Sequence, residues 1–215
     1  VKAMGRSPGE VYRMLERLVA RDYVGRSLEG DRYALTMKLF ALAHRHPPLR
    51  RLTDPAQPLM DVFALEARQS CHLVAPEGDM AYVVAHAVCP GNWEFGLRVG
   101  APIDLVGTSS GLMFLAFMEP DALNQLLRRW EGSERIAIFR SIEAHLPGYK
   151  KAGYRIGDSR RVRGVSDISV PILSPGGHAL AVLTCPYVDR LDQTCAEPQE
   201  ALALLQAVAA KLSLV

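Results

Sequence analysis

Five residues in a row, Gly107-Thr108-Ser109-Ser110-Gly111, concentrate hydroxyls and glycines. They spell G-x-S-x-G, a pattern that in hydrolases holds a nucleophilic serine on a tight strand-to-helix turn. Asp104-Leu105-Val106 before it and the apolar run Leu112–Phe117 after it give strand, turn and helix in that order. A triad would need Ser109, then an acid such as Asp158 or Asp167, then a late imidazole such as His178. The same residues also suit binding without chemistry. A helix starting here offers unsatisfied backbone N–H groups and the positive end of its dipole to a carboxylate. Thr108, Ser109 and Ser110 add hydroxyls. In the plainest reading, the small residues only let a helix lie close on a sheet. Against the hydrolase, roughly 100 residues follow Ser109, too few for the rest of such a sheet. The neighbouring strands read as antiparallel hairpins rather than repeated βαβ units, and the pattern arises easily by chance. The stand-alone alternatives kept open are therefore a serine hydrolase or a ligand-binding domain using Gly107–Gly111.

A second constellation is Cys71-His72 with His86-x-x-Cys89. Four soft ligands could meet on paired strands, but strand alternation sends Cys71 and His72 to opposite faces, which argues against one tetrahedral site. No metal and no cofactor is expected. The four cysteines form no C-x-x-C pair and read as core residues of a reducing cytoplasm.

Charge is distributed unevenly. Residues 1–51 carry eleven Lys/Arg against five Asp/Glu, and the remainder fourteen against eighteen. A basic head on an acidic body is the footprint of a chain that presents one end to a polyanion, although a solvated basic surface would look the same. The 49% hydrophobic and 22% charged composition is that of a soluble globular protein. No apolar run approaches the roughly 18 residues of a membrane span, and the first residues contain no signal-peptide core, so a cytoplasmic chain without membrane contact is expected.

The elements that must position these residues follow from capping signals and periodicity. Ser7-Pro8-Gly9-Glu10 has the form of a capping box with proline in the first turn. Val11, Met14, Leu15, Leu18 and Val19 then repeat at helical spacing. Tyr23–Arg26 and Arg32–Leu35 read as a hairpin turning at Glu29-Gly30-Asp31. Thr36 caps a helix that Pro47-Pro48 ends, and a further helix is expected from Asp54 to Arg68. Beyond Ser70, strands are expected at Cys71–Ala75, Met80–His86, Glu94–Val99, Tyr154–Ile156, Ser166–Ile172 and Ala179–Pro186. Helices are expected at Gly107–Met118, Pro120–Trp130, Ser141–Ala152 (interrupted at Pro147-Gly148) and Glu197–Leu214. Hairpins with helices grouped between them give an α+β class, an antiparallel sheet flanked by helices.

Several segments, in one order along nearly the whole chain, resemble the isocitrate lyase regulator (IclR) family of bacterial transcription factors. Pro8–Leu15 is similar to that family's recognition helix, and Arg21-Asp22-Tyr23-Val24 and Asp31–Leu35 to its wing strands. Gly96–Gly100, Gly107–Leu112, Lys150–Tyr154 and Gly164–Pro171 resemble its later motifs. Two departures stand out: lysine replaces arginine ahead of Gly153-Tyr154, and Thr184-Cys185-Pro186 stands where Ser-x-Ser is usual. The resemblance implies a winged helix-turn-helix, here N-terminally incomplete, over residues 1–36. It implies a helical linker over 37–68 and a GAF-like effector-binding domain over 69–215.

For DNA it implies double-stranded operator contact through Arg6, Ser7, Glu10, Tyr12 and Arg13 on the first helix and Arg26 and Arg32 on the wing. Tyr12 could equally be a core aromatic and Arg13 a solvated charge. For the effector it implies a pocket built from Phe95, Leu97, Gly107, Thr108, Ser109, Ser110, Asp167 and Thr184, with Trp93 as lid or mere surface residue. Asp167 suits a ligand that bears hydroxyls as well as an acid group, so a hydroxylated or sugar-like small organic acid is the expected effector. Its binding in a homodimer or homotetramer would then change operator affinity.

Overall fold

The computed structural model describes residues 4–27, 32–45, 47–92, 94–191 and 195–213. The chain divides into two units, residues 1–51 and 52–215.

In the first unit, α1 (Pro8–Val19) starts at Ser7, whose side chain accepts from the Glu10 amide while Glu10 reaches back to the Ser7 N–H. This is the reciprocal box expected of the sequence. Two short strands follow, β1 (Val24–Arg26) and β2 (Tyr33–Leu35), antiparallel with Gly25 opposite Ala34. The expected turn at 29–31 lies outside the described residues. Helix α2 (Met37–His44) is capped by Thr36, which also donates to the Asp22 carbonyl.

Helix α3 (Pro47–Ala67) contradicts the expectation of a break at Pro47-Pro48 and a start at Asp54. Proline is tolerated in a first turn, where the missing N–H has no intrahelical role. Pro55 and Pro58 lie inside the helix. The apolar positions Ala56, Met60, Phe63, Ala64 and Ala67 hold its lower part in the second unit's core.

The second unit is one six-stranded antiparallel sheet in the order β5-β4-β3-β8-β7-β6. Its strands are β3 (Cys71–Glu77), β4 (Met80–Ala87), β5 (Pro102–Ile103), β6 (Arg155–Asp158), β7 (Ser166–Leu173) and β8 (Ala179–Tyr187). On one face, α3 and α8 (Pro198–Leu212) bury Cys71, Leu73, Ile168, Val170, Leu183 and Cys185. The opposite face carries α4 (Ser109–Ala116), α5 (Pro120–Trp130), α6 (Glu134–Ile142) and α7 (Leu146–Ala152), whose core includes Phe114, Leu126, Trp130 and Phe139. A register shift at Leu73/Val74 leaves Val84 as the extra residue of β4. Beyond it the strand's faces exchange: Ala81 and Val83 pack under α4, but Ala85 and Ala87 face α3 and α8.

Two further expectations are corrected. Glu94–Val99 forms no strand. Phe95, Leu97 and Val99 are 40%, 40% and 62% exposed, and β5 takes the edge beside β4 instead. The alternating pattern had no sheet face on which to bury its apolar set. Ser141–Ala152 is interrupted as expected, but ahead of Pro147 rather than at Pro147-Gly148. The end of α6, a 3-10 turn at Glu143–His145 and α7 share the stretch, with Pro147 opening α7 and left-handed Gly153 closing it.

Candidate effector site

Helix α4 begins at Thr108, whose hydroxyl accepts from the Gly111 amide at 3.1 Å and donates to the Asp104 carbonyl at 2.8 Å. Every residue of α4 is buried. Gly111 is what allows this: a Cβ there would collide with the Leu105 backbone. The helix therefore lies directly on the sheet, and Ser109 and Ser110 are pressed against it, 1% and 3% exposed. Close helix–sheet packing is thus one role of these small residues.

Strand alternation decides what the serines meet. The residues of β3, β7 and β8 that do not face α3 and α8 face α4 instead. In register across β4, β3, β8, β7 and β6, the neighbours are His86, His72, Thr184, Ser169 and Arg155. This is one polar row beneath an apolar helix. Ser110 Oγ lies 2.8 Å from Thr184 Oγ1, which lies 2.9 Å from Ser169 Oγ. The three buried hydroxyls satisfy one another in a chain.

One row further along, Asp167 pairs with Pro186. Ser109 Oγ donates to Asp167 Oδ2 at 2.8 Å and accepts from Arg155 Nη1 at 2.5 Å. Burial pushes the Asp167 carboxyl above its ordinary range, while bonds from Ser109 and Ser159 and the Arg155 charge oppose that push. The Arg155 guanidinium folds along its own strand over Gly157, where a Cβ would lie 3.0 Å from Nη2. His72 is 3% exposed, and burial, with a smaller contribution from His86, lowers its pKa to about 3. His72 Nδ1 and Arg155 Nε are buried without a hydrogen-bond partner among the described residues.

The loop from Ser159 to Val165 braces the start of α4. Arg160 Nη1 donates to the Val106 carbonyl at 3.0 Å, and Arg161 lies 3.7 Å from Asp104. Beside the Asp167–Pro186 row opens a cavity of about 590 Å³. Phe95, Val162, Val165 and Pro186 supply apolar wall, and Arg68, Arg163 and Arg190 stand against a lone Glu94 as its charged lining.

Of the sequence candidates, Thr108, Ser109, Ser110, Asp167 and Thr184 converge, with Gly107 next to them. Phe95 borders the cavity. Leu97 does not line it and is half exposed. Trp93 lies outside the described residues. Sequence reasoning missed Arg155, Ser169 and the histidine pair as members of the site. Ser169 shares strand parity with Asp167, and Arg155 flanks a recognised Gly153-Tyr154 pair, so period-two counting could have placed both on the Asp167 face.

The triad is not assembled. His178 sits in the β7–β8 turn, six residues along β7 from Asp167, or about 20 Å at strand rise. Ser109 accepts from an arginine rather than an imidazole. Cys71 and His72 do face opposite sides of the sheet, as alternation required.

In the first unit, Ser7 and Glu10 are committed to each other in the capping box, and Arg6 lies 3.6 Å from Glu10. Their bonding is local to the helix start. Tyr12 is 60% exposed, which removes its reading as a core aromatic. Arg13 Nε donates to the Gly9 carbonyl at 3.4 Å, and Arg26 lies over the Tyr33 ring at 5.7 Å. Arg32 enters β2, its amide donating to Ser27 Oγ at 3.2 Å.

Comparison with known proteins agrees with this architecture. The chain is 28% identical over 213 residues to the HTH-type transcriptional regulator KdgR of Escherichia coli (strain K12), covering 96% of this chain and 80% of that one. It is 26% identical over 178 residues to the Pca regulon regulatory protein of Pseudomonas putida, covering 80% and 60%. An IclR transcriptional regulator from Alicyclobacillus acidocaldarius superimposes with a TM-score of 0.77 at 21% identity, covering 99% and 87% of the two chains. An IclR homolog from Microbacterium hydrocarbonoxydans, in complex with 4-hydroxybenzoate, has a TM-score of 0.73 at 24% identity over 96% and 84%. Residues 49–214 match the family model of the bacterial transcriptional regulator IclR C-terminal domain. The chain belongs to the IclR family of bacterial transcriptional regulators.

Proposed function

We propose that this protein is a cytoplasmic DNA-binding regulator whose affinity for a double-stranded operator is set by a small organic acid. The observation that carries the reading is the buried Ser109–Asp167–Arg155 cluster beside an arginine-lined cavity, in a domain whose family regulates transcription. A structural core has no need of a half-buried carboxylate, a guanidinium and an imidazole with an unpartnered Nδ1 in two adjacent rows of one sheet face. Such groups cost stability unless they serve a ligand.

Residues 1–36 act as a winged helix-turn-helix, 37–68 as the helical connection and 69–215 as the effector domain. Helix α1 enters the major groove, with Arg6, Tyr12 and Arg13 as its contacts, while Ser7 and Glu10 hold its first turn. Arg26 and Arg32 reach the phosphate backbone from the hairpin. The protein works as a homodimer or homotetramer, since a two-fold operator needs at least two heads. Effector binding shifts the population of two arrangements, and a coupling of about 1–3 kcal/mol suffices for a switch.

A mobility shift of its promoter fragment by the full-length protein tests this. Binding should weaken steeply as salt rises from 50 to 200 mM. Binding that ignores salt, or no binding at all, would refute the DNA role.

A further inference from the structure

The walls of the cavity are not all fastened alike. Gln69, 3% exposed, donates from Nε2 to the Val188 carbonyl at 2.8 Å and accepts from the Val188 amide at 3.2 Å. Ser70 Oγ accepts from the Cys89 amide at 3.0 Å, and Pro186 belongs to β8. These lining residues are tied together through main-chain groups. Another wall is the loop from Ser159 to Val165, whose Val162, Arg163, Gly164 and Val165 line the cavity. Its neck is closed by the Ser159 amide, which donates to the Val165 carbonyl at 2.8 Å, and Gly164, with φ 75°, turns the chain back there. Beyond the neck, arginine side chains fasten it. Arg160 Nη1 donates to the Val106 carbonyl at 3.0 Å, and Arg161 Nη2 lies 3.7 Å from Asp104 Oδ2.

The two fastenings differ in strength. Val106 is fully buried, so losing the Arg160 donor strands its carbonyl until water reaches it, and a charged donor on such an acceptor makes one of the stronger hydrogen bonds. The Arg161 side chain is 62% exposed, and an ion pair so open to solvent contributes little. Asp104 is in any case held from elsewhere by Arg135, 3.7 Å away, which also pairs with Asp79 at 2.7 Å. Gly107 makes room for that carboxylate, since a Cβ there would lie 2.5 Å from Asp104 Oδ2 and 3.0 Å from Arg161 Nη2. We propose that the Ser159–Val165 loop is a hinged wall of the cavity and that Arg160 is its latch, a positioning residue that sets how often the cavity opens. The use of this device rests on the sensor reading above: a ligand that pushes the wall aside takes Arg160 off Val106, which leads into α4, so entry is felt at the start of that helix.

The protein's own cysteines report the opening. Cys89 lines the cavity and is 4% exposed, Cys71 and Cys185 lie in the core on the other face of the sheet, and Cys195 is partly exposed. Full-length protein is treated with iodoacetamide, and the rate at each cysteine is read by peptide mass spectrometry. Arg160→Met should raise the Cys89 rate about tenfold, as for the loss of one charged hydrogen bond, and leave Cys71 and Cys185 at their wild-type rates. Arg160→Lys, which keeps a charged donor, should fall between. Arg161→Gln should change the Cys89 rate by less than about twofold. Amide exchange over residues 159–165 should accelerate in Arg160→Met, with exchange over 182–185 unchanged.

A Cys89 rate that stays at the wild-type value in a folded Arg160→Met protein would overturn the inference. So would a rise of Cys89 and Cys71 together, which marks general unfolding rather than a moving wall. A larger effect from Arg161→Gln than from Arg160→Met would overturn the assignment of the latch. Alkylation is read without effector or promoter, so each of these outcomes bears on the wall alone and leaves the sensor reading to its own test, the salt-dependent mobility shift.

Discussion

At the scale of single residues, the chain of hydroxyls Ser110–Thr184–Ser169 has an energetic consequence that can be ordered. Thr184 is the middle member, bonded to both others. Thr184→Val strands two buried hydroxyls, whereas Ser169→Ala removes a terminal one and leaves Thr184 still paired with Ser110. The first should cost about 1–3 kcal/mol per stranded group and the second about 1 kcal/mol. Urea midpoints for the two variants should fall in that order, and an equal loss would show that the hydroxyls are satisfied some other way. His72 makes a separate prediction. Its pKa of about 3, against 6.5 for a free imidazole, means the unfolded chain binds a proton that the folded chain refuses. The stability this represents is present above pH 6.5 and is lost as pH falls from 6.5 toward 3, with a slope of up to about 1.4 kcal/mol per pH unit. Denaturation curves of His72→Gln should show a shallower acid limb than wild type. Asp167 contributes in the opposite sense: its raised pKa disfavours the folded state once pH exceeds that value. Asp167→Asn should therefore gain stability relative to wild type at neutral pH and lose that advantage in acid.

At the scale of elements, helix α4 is the piece on which the site depends, and Gly111 sets its height above the sheet. Gly111→Ala would drive a methyl into the Leu105 backbone, which cannot rotate away as a flexible side chain could. A loss of about 1–3 kcal/mol is expected, as for other overpacked cores. Because the whole helix must lift, the Ser109–Asp167 bond should lengthen too, and ligand affinity should fall with stability. Helix α1 invites a milder test. Ser7→Ala removes the capping box and should cost about 1 kcal/mol of local helix stability. Amide exchange over residues 8–19 would report it, and unchanged exchange there would show that the box carries no weight. Its effect on DNA affinity should follow helix order rather than a lost base contact.

At the scale of the molecule, the two units are built to different standards. The second buries a large apolar core on both faces of its sheet. The first has no buried residue in α1, and Tyr12, Met14, Leu18, Leu35, Met37 and Phe40 are all substantially exposed. Native-state hydrogen exchange should therefore find the amides of α1, β1 and β2 opening at much lower free energy than those of β7, β8 and α8. Uniform protection across both units would contradict this.

What the sequence determined by itself was everything carried by local signals. Helix starts at Ser7, Thr36, Thr108 and Pro120 rest on side chains that cap or on proline in a first turn, interactions spanning three or four residues. The hairpins β3–β4 and β7–β8 rest on alternation and turn residues. The Gly107–Gly111 segment and Asp167 were recognisable from residue type and family resemblance. Tertiary structure alone decided the rest. Glu94–Val99 has the alternation of a strand but pairs with none, while the two-residue β5 lies against Ala81 and Tyr82 of β4. Pro47-Pro48 look like a stop but sit in the first turn of a helix whose later turns are held by the core. Arg155, Ser169 and His72 are ordinary residues in their own segments. They come together only because register across the sheet lines them up, and the join that brings His72 into the row is the β3–β8 pairing, which sets His72 opposite Thr184, more than one hundred positions away.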